Sequence, residues 1–253
     1  MYADLHLHST FSDGTDTPLE LCHLASDCGI RVMSITDHDT ISGQIAVRGA
    51  QIPDVIEVIP GVELSTEMNR KMLHILGYYI DLFDERLERF IREISAEKTE
   101  TTKMNFEKAC ADHVFSYSWE RVLEANAGQP RISGVHVVNA MSIDGYEVPG
   151  MGLWDMFHRY FWPENDTYLS CQTFTAYDAI DIIKSIGGIP IIAHPKSISD
   201  DEIVFDLLEY GAQGLEAFHP IHTVEDTGKY LHMAKSKNLY VSARQFSFKP
   251  SPH

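Results

Sequence analysis

In the first eighty residues, segments with the hydrophobic pattern of a strand alternate with segments that have the pattern of a helix. In residues 2–8, leucines face one side of an extended chain while histidines face the other, which predicts a strand. The motif Thr17-Pro18-Leu19-Glu20 then predicts a capped helix start with proline at the first helical position. The same criteria predict strands over 30–36, 55–64 and 72–80 and a helix over 42–50.

The alternation of strand and helix returns after residue 170. Capping motifs predict helix starts at residues 175–178, 199–202 and 223–226. Strands are predicted over 189–193, 214–218 and 239–243. Strands that alternate with helices predict an α/β fold with a largely parallel sheet, open or closed into a barrel.

The middle of the chain has a different pattern, because helix signals follow one another over residues 85–170 without a comparable strand. We therefore predict a barrel built from residues 1–84 and 171–253, with residues 85–170 as a helical insertion or cap. The charged run over 84–107 predicts a solvent-facing helix surface. We predict that five aromatic residues at helical spacing form the core of the insertion, with a nucleobase pocket as the alternative. They are Trp154, Phe157, Tyr160, Phe161 and Trp162.

Charge and cysteine content narrow the classes of function. The chain of 253 residues has 20 Lys and Arg against 37 Asp and Glu, a formal net charge of -17. Because such a field repels polyanions, we expect no binding to duplex nucleic acid. The four cysteines form no C-x-x-C pair, which favours buried thiols over thiolate zinc sites. No apolar run reaches the roughly 20 residues of a membrane span, and the start does not resemble a signal peptide, so we expect a cytoplasmic protein with no membrane partner.

Histidines and acids near the predicted strand ends carry the candidate chemistry. His6 and His8 lie on one face of a strand, about 7 Å apart, so both can reach one cation. Five more donors follow at or near later strand ends, which converge at one edge of a parallel α/β barrel: Asp13, His38, Glu63, His74 and His194. Seven donors predict two or three ions bridged by Glu63. Imidazole and carboxylate without thiolate favour Mn, Fe or Zn.

Several short motifs around these residues are specific when taken together. They are Ala3-Asp4-Leu5-His6-Leu7-His8-Ser9, Ser12-Asp13-Gly14, Ile35-Thr36-Asp37-His38-Asp39, Pro60-Gly61-Val62-Glu63, Leu73-His74-Ile75-Leu76-Gly77-Tyr78, Ala193-His194-Pro195 and Gly214-Leu215-Glu216. The set resembles the PHP (polymerase and histidinol phosphatase) phosphoesterases, in the branch with an all-helical insertion whose members hydrolyse small phosphate esters. The resemblance implies a distorted (β/α)7 barrel and a trinuclear metal site. It implies one metal on His6, His8 and Glu63, a second on Glu63, His74 and His194, and a third on Asp13 and His38.

Two segments depart from the family pattern. The family's closing Gly-Ser-Asp-x-His segment, which gives an Asp and a His to the metals, is replaced by Ser242-Ala243-Arg244-Gln245-Phe246-Ser247-Phe248. A phosphate-binding Arg-x-His is replaced by Gly134-Val135-His136, which keeps His136 and leaves Arg131 or Arg244 as candidate replacements for the arginine. Because a cation cannot replace an anionic ligand, we expect weakened first and third sites and one or two firmly held ions among the three.

These features predict a metal-dependent phosphoric monoester hydrolase. The hypothesised substrate is a small phosphorylated molecule of the nucleoside monophosphate or 3',5'-bisphosphate type, attacked by a metal-activated hydroxide. His219 is the candidate general acid for the leaving group. Two alternatives stay open: a metal-binding relative with weakened or lost catalysis that acts as a binding module, and a nuclease acting on polynucleotide ends. The sequence leaves the oligomeric state undetermined.

Overall fold

The computed structural model describes residues 2–244, and this part of the chain forms a mixed α/β fold. Its strands are β1 (Tyr2–Leu7), β2 (Ile30–Ile35), β3 (Glu57–Val58), β4 (Gly61–Met68), β5 (Lys71–Tyr78), β6 (Ile189–Ile192), β7 (Gly214–Phe218) and β8 (Tyr240–Ala243). Its helices are α1 (Pro18–Asp27), α2 (Ser42–Val47), α3 (Glu85–Ala111), α4 (Trp119–Ala125), α5 (Gly134–Ile143), α6 (Leu153–Phe161), α7 (Ala176–Ser185), α8 (Asp201–Tyr210) and α9 (Val224–Lys237).

The described strands form two sheets. One sheet has the order β1-β2-β3, and its strands are parallel. The other has the order β4-β5-β6-β7-β8, and an isolated parallel bridge between His38 and Glu63 links the two sheets. The α/β class is therefore confirmed, whereas the hydrogen-bonded ladders within residues 2–244 do not close into the expected barrel.

Strands β4 and β5 correct the expectation of a largely parallel sheet. They form an antiparallel hairpin in which Ser65 pairs with His74, and β5 pairs antiparallel with β6 as well. Asn69 and Arg70 form the two-residue turn with φ of 52° and 60°, the left-handed backbone that short hairpin turns require. An alternating pattern has the same period in either strand direction, so it did not reveal this reversal.

The helix starts follow from local capping. Thr17 and Glu20 form a capping box at the start of α1, as predicted. Equivalent boxes begin α7 at Thr175 and α9 at Thr223. At the start of α8, within the motif predicted over 199–202, the capping residue is Asp200. Its carboxylate accepts hydrogen bonds from the backbone N–H groups of Glu202 and Ile203.

Helices α3 to α6 contribute a hydrophobic core of their own, which includes Phe106, Val137, Met141 and Tyr160. The main core lies between the larger sheet and the helices α7, α8 and α9, and the first half of α3 contributes apolar residues to it as well. This arrangement accords with the predicted boundaries at residues 85 and 170, which stay a prediction. Among the residues that the structure describes, no helix combines the length and apolar character of a membrane span.

Most charged side chains of α3 face solvent, as the charged run predicts, but one polar stretch of the helix is buried. Although the helix is strongly charged, its buried residues continue past the apolar Leu87, Phe90 and Ile94 to a polar set: Lys98, Thr101, Thr102 and Asn105. Their spacing of three and four residues keeps them on one side of the helix. The polar part of this face therefore lies inside the protein.

Candidate metal centre

Glu63 is the centre of the histidine cluster. It is the third residue of β4 and is fully buried. Its Oε2 atom lies 3.0 Å from His6 Nε2, 3.2 Å from His8 Nε2 and 3.2 Å from His38 Nδ1. These imidazoles come from β1 and from the loop after β2. One carboxylate oxygen therefore faces three ring nitrogens, one from within β1, one from directly after β1 and one from the loop after β2.

The other oxygen of Glu63 faces a second pair of imidazoles. Oε1 lies 3.0 Å from His74 Nδ1 and 3.2 Å from His194 Nε2. Because β4 and β5 are antiparallel, His74 lies opposite Ser65, two residues along the strand from Glu63 and on the same face. Glu63 and His74 thus lie within their strands, whereas His194 follows the end of β6.

Asp13 completes the set of seven candidates at the rim of the cluster. Its carboxylate lies 3.2 Å from His8 Nδ1 and 3.8 Å from His38 Nε2. Three groups of donors have ligand atoms within 4.8 Å of one another: His6, His8 and Glu63; His8, Asp13 and His38; and His38, Glu63 and His74. The structure therefore brings all seven candidates together, and their assignment as metal ligands stays a prediction.

The charges of the cluster depend on burial and on the shared carboxylates. Burial alone would lower the pKa of His6, but Glu63 and Glu216 raise it to about 10. Burial would raise the pKa of Glu63, yet the surrounding imidazoles, His38 first among them, hold it well below its usual value. Five imidazoles around one carboxylate exceed what a single anion can pair. Such a donor set fits divalent cations, which replace protons between the ligands.

Glu216 belongs to one of the sequence motifs but was not predicted as a site residue, and the structure makes it a functional candidate. This β7 carboxylate is fully buried. Its Oε1 lies 3.0 Å from His6 Nδ1, and its Oε2 accepts a hydrogen bond of 2.8 Å from the backbone N–H of His194. His194 has φ of 26°, a strained backbone for a residue other than glycine. Glu216 therefore positions two candidate ligands that face opposite oxygens of Glu63.

Asp37 holds the loop that carries His8 and Asp13. Its carboxylate accepts hydrogen bonds of 2.6 Å from the backbone N–H and the hydroxyl of Ser9, and another of 2.6 Å from the hydroxyl of Ser12. Such partners around a ligand loop are typical of metal sites.

The candidates for phosphate binding lie in different places. Arg131 lines a cavity beside the cluster, and its Nη1 lies 3.0 Å from Asp39 Oδ2. His136 is buried, accepts a hydrogen bond of 3.0 Å from the backbone N–H of Ser133, and lies outside the set of described cavity-lining residues. Burial and Arg131 lower the pKa of His136 to about 4. Arg244 donates its backbone N–H to Phe218, and residues 245–248 lie outside the described part of the chain.

His219 lies beside the cluster but not in the cavity lining that the structure describes. Its ring centroid is 6.0 Å from that of His6 and 5.4 Å from that of His194. Burial lowers the pKa of His219 to about 3, so the imidazole is neutral at neutral pH. It also forms a fourth group of close donor atoms with His6 and Glu216. Its role as general acid stays a prediction.

A cavity of about 200 Å³ connects the cluster to the helical segment. Its lining includes Asp13, His38 and His74 of the cluster, residues of α3, α5 and α6, and residues of the β4-β5 hairpin and of the loops around α5 and α6. The aromatic residues Phe157, Phe161 and Trp162 form part of this lining in addition to the helical core. Lys98 also lines the cavity, and the sequence reasoning missed it. The available signal was a polar continuation of the buried face of α3.

Comparisons with known proteins agree with this geometry. Residues 4–173 match the family described as the PHP domain. The chain is 28% identical over 248 residues to the 3',5'-nucleoside bisphosphate phosphatase of Chromobacterium violaceum, covering 95% of this chain and 85% of that protein. It is 30% identical over 195 residues to the 5'-3' exoribonuclease Rnm of Salmonella typhimurium, covering 76% of this chain and 64% of that protein.

A solved structure shares the fold. It is an amidohydrolase from Chromobacterium violaceum with bound sulfate and no metal. The two structures superpose with a TM-score of 0.81 at 25% sequence identity, covering 97% of this chain and 87% of the other. The similarity therefore includes the helical segment as well as the sheets.

The similarity to an exoribonuclease corrects the expectation about partners. From the net charge of -17 we expected no binding to duplex nucleic acid, and the 30% identity to a 5'-3' exoribonuclease contradicts that expectation. The physical reason is that charges at the surface are screened beyond about 10 Å. The potential at the site depends instead on nearby groups such as Lys98 and Arg131, which line the cavity.

Proposed function

The chain belongs to the PHP domain family and is a metal-dependent phosphoesterase, and on that premise we propose that it hydrolyses phosphate monoesters of small nucleotides. The proposed substrates are of the nucleoside monophosphate or 3',5'-bisphosphate type. The observation that carries this proposal is the cavity beside the cluster, in which His38 and His74 face the same space as Phe161 and Trp162. Cations bound by the histidines attract a phosphate, and aromatic side chains favour contact with a planar base.

We propose one to three Mn, Fe or Zn ions as cofactors, held by the seven-residue cluster: His6, His8, Asp13, His38, Glu63, His74 and His194. Support comes from Glu63, whose two oxygens face different sets of imidazoles at 3.0 to 3.2 Å. Divalent ions in such a site supply Lewis acidity toward phosphate oxygens and a water of lowered pKa. The protein's own contribution is to hold the ligands in place. Glu216 orients two of the histidines, and Asp37 orients the loop that carries two further ligands.

We also propose that the two sheets are parts of one distorted barrel built from residues 1–84 and 171–253, with residues 85–170 as a cap. Support comes from β1 and β8, which lie side by side although they belong to different sheets. The bridge between His38 and Glu63 joins the sheets at a second place. The cap then encloses the cavity from the side opposite the strands.

One further activity is favoured by a specific observation. The identity of 30% to an exoribonuclease makes hydrolysis of RNA from its 5' end the second candidate. The same cluster serves either reaction, because both break a phosphate ester next to bound cations. The alternative of a binding module without catalysis predicts metal binding and no phosphate release.

The experiment is a phosphate-release assay with added Mn²⁺. The substrates are adenosine 5'-monophosphate, adenosine 3',5'-bisphosphate and a 5'-phosphorylated RNA oligonucleotide, whose shortening is followed by electrophoresis. We expect metal-dependent phosphate release from at least one adenosine nucleotide. His74→Ala should abolish it, whereas His232→Ala, on the exposed side of α9, should not. Absence of release from both nucleotides would reject the proposal, and shortening of RNA alone would favour the second candidate.

A further inference from the structure

Lys98 occupies an unusual position for a lysine. It lies in the middle of α3 on the buried face, and only 6% of its surface is exposed. It lines the cavity together with His74, Asn105 and Tyr168. Lysine is almost never buried to this extent without a partner, because an unpaired charge loses its hydration.

Within residues 2–244 no ion pair involves the ammonium of Lys98, and burial and charges at a distance, without a hydrogen bond, determine its pKa. The two carboxylates that act on it electrostatically, Asp39 and Glu67, are engaged elsewhere. Asp39 lies 3.0 Å from Arg131 and accepts a 2.7 Å hydrogen bond from the backbone N–H of Ser65. Glu67 accepts hydrogen bonds of 3.1 and 3.0 Å from the hydroxyl groups of Tyr168 and Ser170.

Arg131 adds a second positive charge near the unpaired charge of Lys98. Arg131 lines the same cavity and acts on Lys98 as a like charge. Burial, followed by Arg131, lowers the pKa of Lys98 to about 8, so most of the side chain is still protonated at neutral pH. The cavity therefore contains a positive charge that the described protein does not neutralise. An anion bound in the cavity would neutralise it.

The size of the cavity leaves room for more than the reacting phosphate. About 200 Å³ corresponds to roughly seven water volumes. Asp13, His38 and His74 bring the cluster to the cavity lining, and Lys98 joins that lining from α3, within electrostatic reach of His74. An ammonium there can form charge-assisted hydrogen bonds with a second anionic group of the same molecule.

We propose that Lys98 is a substrate-binding residue that selects molecules with a second anionic group, such as a second phosphate, in addition to the phosphate that is hydrolysed. The inference rests on the proposed function and specifies its substrate class. Lys98 acts by binding and leaves the reacting phosphate to the metal cluster.

The kinetic test compares adenosine 3',5'-bisphosphate with adenosine 5'-monophosphate in the Mn²⁺-loaded full chain. For the wild type we expect a KM at least tenfold lower for the bisphosphate. Lys98→Met, which keeps most of the length and removes the charge, should raise that KM at least tenfold, change kcat less than threefold and raise the monophosphate KM by a clearly smaller factor. Lys98→Arg should retain part of the preference. Lys103→Met, on the same helix, is the matched control and should behave as wild type.

Two results would overturn the inference. An equal loss of kcat for both nucleotides in Lys98→Met would mean that Lys98 acts on the reacting phosphate. Equal KM values for the two nucleotides in the wild type would mean that no second anion is selected. Titration calorimetry of both nucleotides with the EDTA-treated full chain measures binding without turnover. Calorimetry therefore tests the binding role of Lys98 even if the wild type hydrolyses neither nucleotide and the proposed function fails.

Thermal unfolding provides an independent test of the premise. Because Lys98→Met removes an uncompensated buried charge, the ligand-free variant should unfold at a temperature equal to or higher than the wild type. Adenosine 3',5'-bisphosphate should raise the unfolding temperature of the wild type more than that of the variant. A clear drop in the unfolding temperature of the ligand-free variant would show that the ammonium has a structural partner, which contradicts the proposal.

Discussion

Replacing Glu216 with glutamine tests how the cluster is positioned. Both oxygens of this carboxylate face donors, since Oε1 lies 3.0 Å from His6 Nδ1 and Oε2 accepts from the backbone N–H of His194 at 2.8 Å. In Glu216→Gln one of these positions receives an NH₂ group instead of an acceptor. If it faces His6, the ring must accept at Nδ1 and carry its proton on Nε2, the nitrogen that faces Glu63. That tautomer removes His6 as a ligand.

The expected magnitude follows from the bond that is lost. A hydrogen bond to a charged group is worth about 1.5–3 kcal/mol, and about 1.4 kcal/mol corresponds to a tenfold change in an equilibrium constant. Glu216→Gln should therefore weaken Mn²⁺ binding about 10- to 100-fold. This range agrees with the roughly 10- to 100-fold effect of replacing outer partners of metal-bound histidines.

The assay is competition for Mn²⁺ between the protein and a metal-sensitive dye, with bound metal counted by mass spectrometry after dialysis. Glu225→Gln, at an exposed position near the start of α9, is the matched control and should bind as wild type. Unchanged affinity in Glu216→Gln, with a normal unfolding temperature, would refute the role of Glu216 in positioning the ligands.

Two stability predictions concern Gly134 and Arg131, with Gly228 in α9 as the control for the first. A Cβ atom at Gly134 would lie 2.6 Å from Phe161 Cβ, so Gly134→Ala should lower the free energy of unfolding by about 1–3 kcal/mol in urea denaturation. Gly228→Ala, where a Cβ meets nothing within 4 Å, should instead stabilise α9 by about 0.5–1 kcal/mol, and equal effects of the two changes would contradict this reasoning. Arg131→Met leaves Asp39 buried without its cation and should cost about 3 kcal/mol or more in the same assay. A loss below about 1 kcal/mol would mean that Asp39 tolerates burial without the arginine.

The space around Gly134 does not admit a side chain, although the resemblance to the PHP family predicts an arginine at this position. Its ideal Cβ position is 2.8 Å from Phe157 Cε2, so any side chain here would displace the aromatic residues that line the cavity. Arg131 enters the same cavity from the preceding loop instead. The glycine at position 134 therefore leaves the space that the aromatic residues of the cavity lining occupy.

Local features of the sequence predicted much of the fold. Capping boxes marked the starts of α1, α7 and α9, and the alternating pattern around His6 marked β1. Each of these signals depends on residues within one or two helical turns or one strand. A property set by neighbours along the chain can be obtained from the chain alone.

The direction of β4 and β5 did not follow from the pattern. Placing Glu63 and His74 at the ends of parallel strands was wrong, since both lie within an antiparallel hairpin. The chain reverses at Asn69 and Arg70, whose φ angles are positive. Alternation identifies which side chains share a face but says nothing about the direction of the neighbouring strand.

By itself the sequence determined the chemistry of the donors, imidazoles and carboxylates without thiolate, and hence the class of cation that they suit. Only the tertiary structure decided that His6 and His194, which lie 57 and 131 residues from Glu63, face opposite oxygens of that one carboxylate. It also decided that Lys98 is enclosed beside them. The physical reason is that ligation and burial depend on distances through space, which strand pairing and helix packing set after the local elements have formed.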